Sequence, residues 1–350
     1  MLLTKISLQY FRSYTQETFS FHPKLTVVIG PNTAGKSNLM EAIYLLATGK
    51  SFRADKDNQM VQFEQEMGRV KAKIEEDTLE VVILNKEQSA TRMFQKRFLI
   101  NDVPRRRVDF AGRLKAVLFT PSDLDIIVMS PSLRRNFLDD VLEQTDREYR
   151  VSLQTYVKAL RQRNALLDRV RETGSRFEKQ FEYWDELLIK HGTVITQKRE
   201  ELISFFNTAQ KDVIACEVLY DHSKITPERL LQYKQAEIAS ATTLVGPHRD
   251  DFVVRMLSGK QMQEAKQYGS RGQQRLCILQ LKLLQLSFIE HAVGERPLLL
   301  LDDIFSELDA GHIELVLRVI YQQQTIMTTT HEEFVQGNVE GEMEKLLLEK

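Results

Sequence analysis

Residues 25–48 restrict the fold more than any other stretch. LTVVI (Leu25–Ile29) is a short apolar run rich in β-branched residues, the pattern of a strand buried on both faces of a parallel sheet. GPNTAGKS (Gly30–Ser37) follows and fits the phosphate-loop pattern G-x-x-x-x-G-K-[ST]. NLMEAIYLLAT (Asn38–Thr48) then places apolar residues at three- and four-residue steps, as a helix does. Strand, glycine loop and helix in this order predict an α/β fold, because parallel strands must be joined by crossovers. The residue types carry the chemistry. Gly30 and Gly35 let the backbone curl, across Pro31, Asn32, Thr33 and Ala34, so that successive N–H groups converge on phosphate oxygens. The helix N-terminus adds its positive dipole end. Lys36 brings a full charge to the β- and γ-phosphates, and Ser37 offers its hydroxyl to a metal ion. The expected ligand is ATP with Mg²⁺.

Further segments extend this reading. Leu298–Leu301 is an apolar run that ends in Asp302 and Asp303. It reads as a central strand delivering carboxylates to its C-terminal end, where ligands of open α/β sheets bind. Asp302 is the candidate Mg²⁺ partner, and Asp303 the candidate to polarise an attacking water. GSRGQQR (Gly269–Arg275) precedes a long apolar stretch, Leu276–Ala292. Ser270 and Gly272, with Gln273, at the start of such a helix offer a second anion site; the same residues also suit an ordinary helix cap. Placed some thirty residues before the acidic strand, this segment resembles the signature motif of ABC-type ATPases, which caps the γ-phosphate held by another head. In that arrangement one chain cannot complete a site alone, so an ATP-dependent, two-fold head-to-tail homodimer is expected. Ser306–Asp309 (SELD) resembles the D-loop of the same heads, and His331, after Thr325–Thr330, resembles their switch histidine.

Composition bounds the remaining possibilities. With 350 residues, 42% hydrophobic and 28% charged, the chain suits two domains, or one large domain with an insertion. It has no eighteen-residue apolar run free of charge, and its N-terminus lacks a signal-peptide layout, so the expectation is a cytoplasmic protein without a membrane span. Cys216 and Cys277 lack metal-ligand spacing and read as free thiols. A net charge of −1 means that any nucleic-acid contact must come from local patches. Candidates are Lys96–Arg97, Arg105–Arg107, Arg134–Arg135, and Arg161 with Arg163; such charge runs more often mark a solvated face.

Periodicity suggests one ATPase lobe interrupted by a helical insertion. Val70–Ile74, Leu79–Leu84, Met93–Ile100 and Lys115–Phe119 read as strands, with a turn at Asn101–Asp102. From Leu133 to about 206 the pattern is helical, with Leu153, Tyr156, Val157, Leu160, Ala165 and Leu166 assigned to one apolar face. Val213–Leu219 and Phe252–Met256 return to strand character. The expected division is a P-loop ABC-type ATPase head with a mixed sheet over 1–125 and 240–350, and an inserted, mainly helical lobe over 126–239.

Taken together, the segments resemble the RecF family, ATPases related to SMC-type heads, over nearly the whole chain. FRSY (Phe11–Tyr14) resembles that family's FRNY element, and GKSFR (Gly49–Arg53) follows the first helix as it does there. FTPSDL (119–124), SPSLRRNFLD (130–139), LRQRNALL (160–167) and above all VGPHRDDF (245–252) narrow the resemblance to this family. Two departures stand in the loop: Thr33 where the family usually has glycine, and Ser37 where it has threonine. The resemblance implies a weak ATPase that dimerises on ATP. It would bind double-stranded DNA at gaps and single-strand–double-strand junctions, and act with RecR and RecO to load RecA. Its roles would be DNA repair, replication restart and the SOS response. The alternatives are a transporter-type ABC ATPase subunit or an SMC-like scaffold head; the chain has neither a convincing Q-loop glutamine nor a long heptad segment.

Overall fold

The computed structural model describes residues 2–85, 95–174, 178–304, 313, 316–317, 319–330 and 342–349. His331 and Ser306–Asp309 lie outside the described residues, as do the first two residues of the expected strand 93–100. The fold is α/β, and contacts divide it into two compact units: residues 1–123 with 285–350, and residues 124–284.

In the first unit, parallel and antiparallel strands are segregated into separate sheets. The antiparallel sheet comprises β1 (Leu3–Phe11), β2 (Tyr14–Ser20), β4 (Met67–Ile74), β5 (Asp77–Leu84), β6 (Lys96–Ile100) and β7 (Val103–Arg105), in the order β2-β1-β4-β5-β6-β7. β4 shows why it forms: Val70, Ala72 and Ile74 alternate inward while Arg69, Lys71 and Lys73 alternate outward. Asn101 and Asp102 join β6 to β7 with φ of 52° and 62°, positive values that a two-residue hairpin of matching twist requires.

The parallel sheet comprises β3 (Leu25–Ile29), β8 (Ala116–Phe119), β12 (Leu298–Asp302), β13 (Thr325–Thr329) and β14 (Met343–Leu347), in the order β14-β3-β13-β12-β8. β3, β8, β12 and β13 are buried throughout, as their unbroken apolar and threonine runs anticipate. The Lys36–Thr48 helix is covered by one core with both sheets, in which Leu39, Ile43 and Leu46 join Val28, Val81 and Ile326.

The second unit pairs β9 (Cys216–Asp221), β10 (Asp251–Ser258) and β11 (Gln261–Glu264) in a small antiparallel sheet, with helices Pro131–Thr145, Arg147–Thr173, Glu178–Thr208 and Pro227–Ser240. β10 pairs with β9 along Asp251–Met256, which is why residues 240–284 group with this unit and not with the first, where the sequence reading placed them. In the Arg147–Thr173 helix the buried stripe is Tyr149, Ser152, Tyr156, Ala159, Arg163, Leu167 and Val170. The face assigned from hydropathy is therefore rotated: Val157 is exposed, and Arg163 is buried because Asp185 and Glu237 neutralise it at 2.5 and 2.8 Å. The Arg271–Val293 helix is long and apolar enough to cross a membrane by composition. Here Cys277, Leu281, Leu284 and Ile289 are buried alongside Gln280 and Lys282, as in a core helix.

Candidate phosphate-binding site

The site grows out of the C-terminal ends of β3, β12 and β13. β3 runs into Gly30, against which the Leu348 carbonyl packs so closely that a Cβ there would lie 2.7 Å from its oxygen. Glycine is required at that position by the neighbour, and at Gly35 by conformation, since its φ is 99°. The Tyr14 hydroxyl donates to the Gly35 carbonyl at 3.1 Å and underlies the loop. The helix then begins at Lys36; its first bonds, from the Asn38 and Leu39 N–H groups to the Gly35 carbonyl at 2.8 and 3.0 Å, leave the Lys36 and Ser37 N–H groups ahead of them without intrahelical acceptors.

Lys36 is almost fully buried, and its Nζ donates to the Gly30 and Pro31 carbonyls at 2.8 and 3.0 Å. Burial lowers its pKa, while the nearby Asp303 and Asp302 charges oppose that shift. Ser37 Oγ donates to Asp302 Oδ1 at 3.1 Å, and Thr328 Oγ1 donates to the same oxygen at 2.8 Å. The Asp303 N–H in turn donates to Thr328 Oγ1 at 3.0 Å, with Asp303 held at φ 51°. Lys36, Ser37, Asp302 and Asp303, dispersed in the sequence, are thus gathered at one end of the parallel sheet. Asp302 is buried, and one such carboxylate beside a serine hydroxyl suits the habit of Mg²⁺, a hard ion that keeps most ligands as water and phosphate. Among the described residues no cluster of three or more histidine, cysteine or acidic side chains offers a protein-only metal cage.

Residues that the sequence reading gave no role complete the surroundings. Arg12 reaches Glu41 through two 2.7 Å bonds, and Glu41 is fully buried between Leu39, Met40, Ala42 and Ile43 of the helix. Asn38 Nδ2 donates to Ser13 Oγ at 2.9 Å. Arg12, Ser13, Asn38, Gln59 and Phe63 line a groove of about 520 Å³ beside the first turn of the helix. Glu41 carried a legible signal, because an acid within a helix this apolar needs a partner. Thr328 and Tyr14 carried none beyond their motifs.

Ser270, Gly272 and Gln273 belong to the second unit. Gln273 N–H donates to Ser270 Oγ at 3.3 Å while Gln273 Oε1 accepts from Ser270 N–H at 2.9 Å. This reciprocal pair is a capping box, so the helix-cap reading is realised in the structure. Ser270 and Gly272 remain exposed at the helix start.

The basic clusters separate into different environments. Arg134 pairs with Asp251 and Arg163 with Asp185 and Glu237, all within the second unit, and both arginines are buried. Neither is a surface contact, which corrects that expectation. Arg135 is partly buried and donates to the Asp250 carbonyl, whereas Arg97, Arg105, Arg106 and Arg161 are exposed. The registers reveal a patch that runs of charge do not. On the outer face of the antiparallel sheet Lys5 lies opposite Lys73, Ser7 opposite Lys71 and Gln9 opposite Arg69, and Val82 sits between Arg69 and Arg97. Glu80 compensates Arg69 and Lys71 at 3.2 and 3.4 Å.

Comparison with known proteins places these features. The RecF/RecN/SMC N-terminal domain family matches residues 2–344. The "DNA replication and repair protein RecF" of Cyanothece sp. (strain PCC 7425) is 38% identical over 354 residues, covering 95% of this chain and 92% of that protein. The chain belongs to the RecF family. The protein of the same description from Bacillus thuringiensis (strain Al Hakam) is 35% identical over 357 residues, covering 94% of this chain and 92% of that one. A solved structure of the recombination mediator protein RecF with ATPrS, in the RecFOR pathway, superposes with a TM-score of 0.86 at 29% identity, covering 100% of this chain and 98% of the other. The Smc head domain of Pyrococcus furiosus, at 18% identity and a TM-score of 0.51 over 95% of this chain and 91% of that one, shares the fold alone.

Two of the segments that resemble those of the RecF family meet inside the second unit. In VGPHRDDF, Asp250 accepts from Arg199 at 2.9 Å and from Tyr220, and Arg199 also reaches Asp139 of SPSLRRNFLD at 2.6 Å. Asn164 of LRQRNALL accepts from the Thr243 N–H at 2.9 Å. The 130–139 and 245–252 segments are thus joined by buried charge-assisted hydrogen bonds, directly from Arg134 to Asp251 and through Arg199 to Asp139 and Asp250, which lets such polar strings lie in a core.

Proposed function

We propose that this RecF-family chain is an ATP-gated DNA-binding protein of recombinational repair. The observation that carries the reading is the gathering of Lys36, Ser37 and the Asp302–Asp303 pair around the glycine loop at one end of the parallel sheet. In this reading the loop's N–H groups and Lys36 hold the ATP phosphates, and the groove beside Arg12 and Asn38 takes the base and ribose. Ser37 and Asp302 would hold Mg²⁺, which would supply charge neutralisation on the phosphates. Asp303 polarises the attacking water; an aspartate there is short, which suits slow hydrolysis and a long-lived bound state. Ser270, Gly272 and Gln273 of a second copy cap the γ-phosphate, so that ATP closes a homodimer and hydrolysis releases it.

The outer face of the antiparallel sheet supports the DNA part of the reading. Lys5 and Lys73 are exposed, directly opposite each other, and have no acidic partner among the described residues. Like charges in that relation destabilise a sheet, and a phosphate backbone relieves them. Binding is then chiefly to phosphates at gaps and junctions, poorly sequence-specific and salt-dependent. In this reading the protein works in the cytoplasm with RecR and RecO to load RecA on gapped DNA, in repair, replication restart and the SOS response.

Fluorescence anisotropy of a labelled gapped duplex tests this. Tight binding is expected with ATP and not with ADP, and Lys36→Ala with ATP behaves like the ADP sample. Charge reversal at Lys5 and Lys73 weakens the ATP-dependent binding and flattens its salt dependence by about one or two phosphate contacts. Equal binding with both nucleotides, or no binding even with RecR added, sinks the proposal.

A further inference from the structure

Between Pro31 and Ala34 the phosphate loop makes a β-turn, closed by the Ala34 N–H donating to the Pro31 carbonyl at 3.2 Å. Thr33 is the third residue of that turn and has φ 76°. This is the value a type II turn demands of its third residue, and the reason glycine or asparagine normally stands there. A left-handed backbone crowds the Cβ against the following carbonyl, and branching at Cβ adds to the crowding. Of the non-glycine residues with positive φ among the described residues, Thr33 alone is β-branched. Nothing compensates the strain: the side chain is exposed, and among the described residues it has no hydrogen bond or ion pair.

We propose that Thr33 acts as a brake on nucleotide affinity. The turn brings the loop's N–H groups into the phosphate-accepting arrangement, and Thr33 raises the free energy of that arrangement relative to other loop conformations. Only a fraction of the population then presents a ready loop, and the apparent dissociation constant rises in inverse proportion to that fraction. Thr33 is a positioning residue in this account: it acts through the backbone of its neighbours and makes no contact of its own with phosphate. Tyr14 opposes it from the other end of the loop by fixing the Gly35 carbonyl. Nucleotide occupancy is thereby tuned to fall when ATP is scarce. The inference rests on the loop being the ATP site.

The test is a titration of a fluorescent methylanthraniloyl ATP against the full chain and its Thr33→Gly, Thr33→Asn and Thr33→Ala variants. Glycine and asparagine tolerate positive φ, so both variants bind at least about fivefold tighter than the parent, while alanine gains less. In ATPase assays KM falls with the dissociation constant and kcat changes by less than about twofold, as expected when ground and transition states share the same loop. Glycine and asparagine variants that bind no tighter than the parent, or more weakly, overturn the brake while leaving the ATP site intact. Failure of the parent and every variant to bind the analogue overturns the ATP site, and the brake with it.

Discussion

His248 is held neutral by its surroundings. Its Nε2 lies 2.9 Å from the Thr243 carbonyl, which can only accept, so Nε2 carries the proton and Nδ1 accepts from the Tyr156 hydroxyl at 2.7 Å. Burial pulls its pKa from 6.5 down to about 4; the Arg249, Arg135 and Arg163 charges push the same way, against the Thr243 bond. The sign for stability follows. Between those two values the unfolded chain binds a proton that the folded chain does not, so stability is lost as pH falls through this window. Urea unfolding at pH 5 compared with pH 7 should show a loss of about 2 kcal/mol from this group. A His248→Gln variant should lack that component; an unchanged pH slope would show that the histidine is not the titrating group.

Among the elements, Gln324 performs a task usually left to a strand. From the turn before β13 its side chain accepts from the Leu3 N–H at 2.8 Å and donates to the Leu3 and His22 carbonyls at 2.8 and 3.1 Å. Replacing it with leucine leaves these backbone groups buried without partners, and chemical denaturation should register a loss of about 3 kcal/mol. A loss under about 0.5 kcal/mol would mean that water takes over the role. Nothing in the string YQQQT announces this contact, because its partners are 302 and 321 residues away. The same limit separates what the sequence disclosed from what it hid. β3, the helix after it, β12 and β13 were legible, since buried parallel strands write themselves as unbroken apolar runs. β2, β7, β11 and β14 were not: they are short or polar edge strands, whose hydrogen bonds depend on a neighbour and not on their own composition. Lys36, Ser37, Asp302 and Asp303 could be proposed together because a phosphate loop and an acidic strand end are recognisable in a sequence, and the fold brings them together. Thr328 and Tyr14 could not, because their roles are set by what lies across the fold. Arg134 and Arg163 show the converse: as runs of charge they read as surface, and only their carboxylate partners put them inside.

For the whole molecule, one chain supplies one phosphate loop and one signature-like helix start, so on the proposed reading a complete nucleotide site would take two copies. Light scattering after size exclusion should find a mass near 40.7 kDa without nucleotide and about twice that for Asp303→Asn with ATP, where hydrolysis no longer reopens the dimer. A variant that stays monomeric at saturating ATP removes the dimer from the cycle. The sheet that bears the site carries one more implication. β3, the strand that ends in the phosphate loop, is flanked only by β13 and β14, which come from the far end of the sequence. On the ribosome the loop therefore emerges long before either neighbour exists, and its apolar strand must wait unpaired while the rest of the chain is made. Translation order thus makes the strand of the phosphate loop one of the last in its sheet to gain both neighbours.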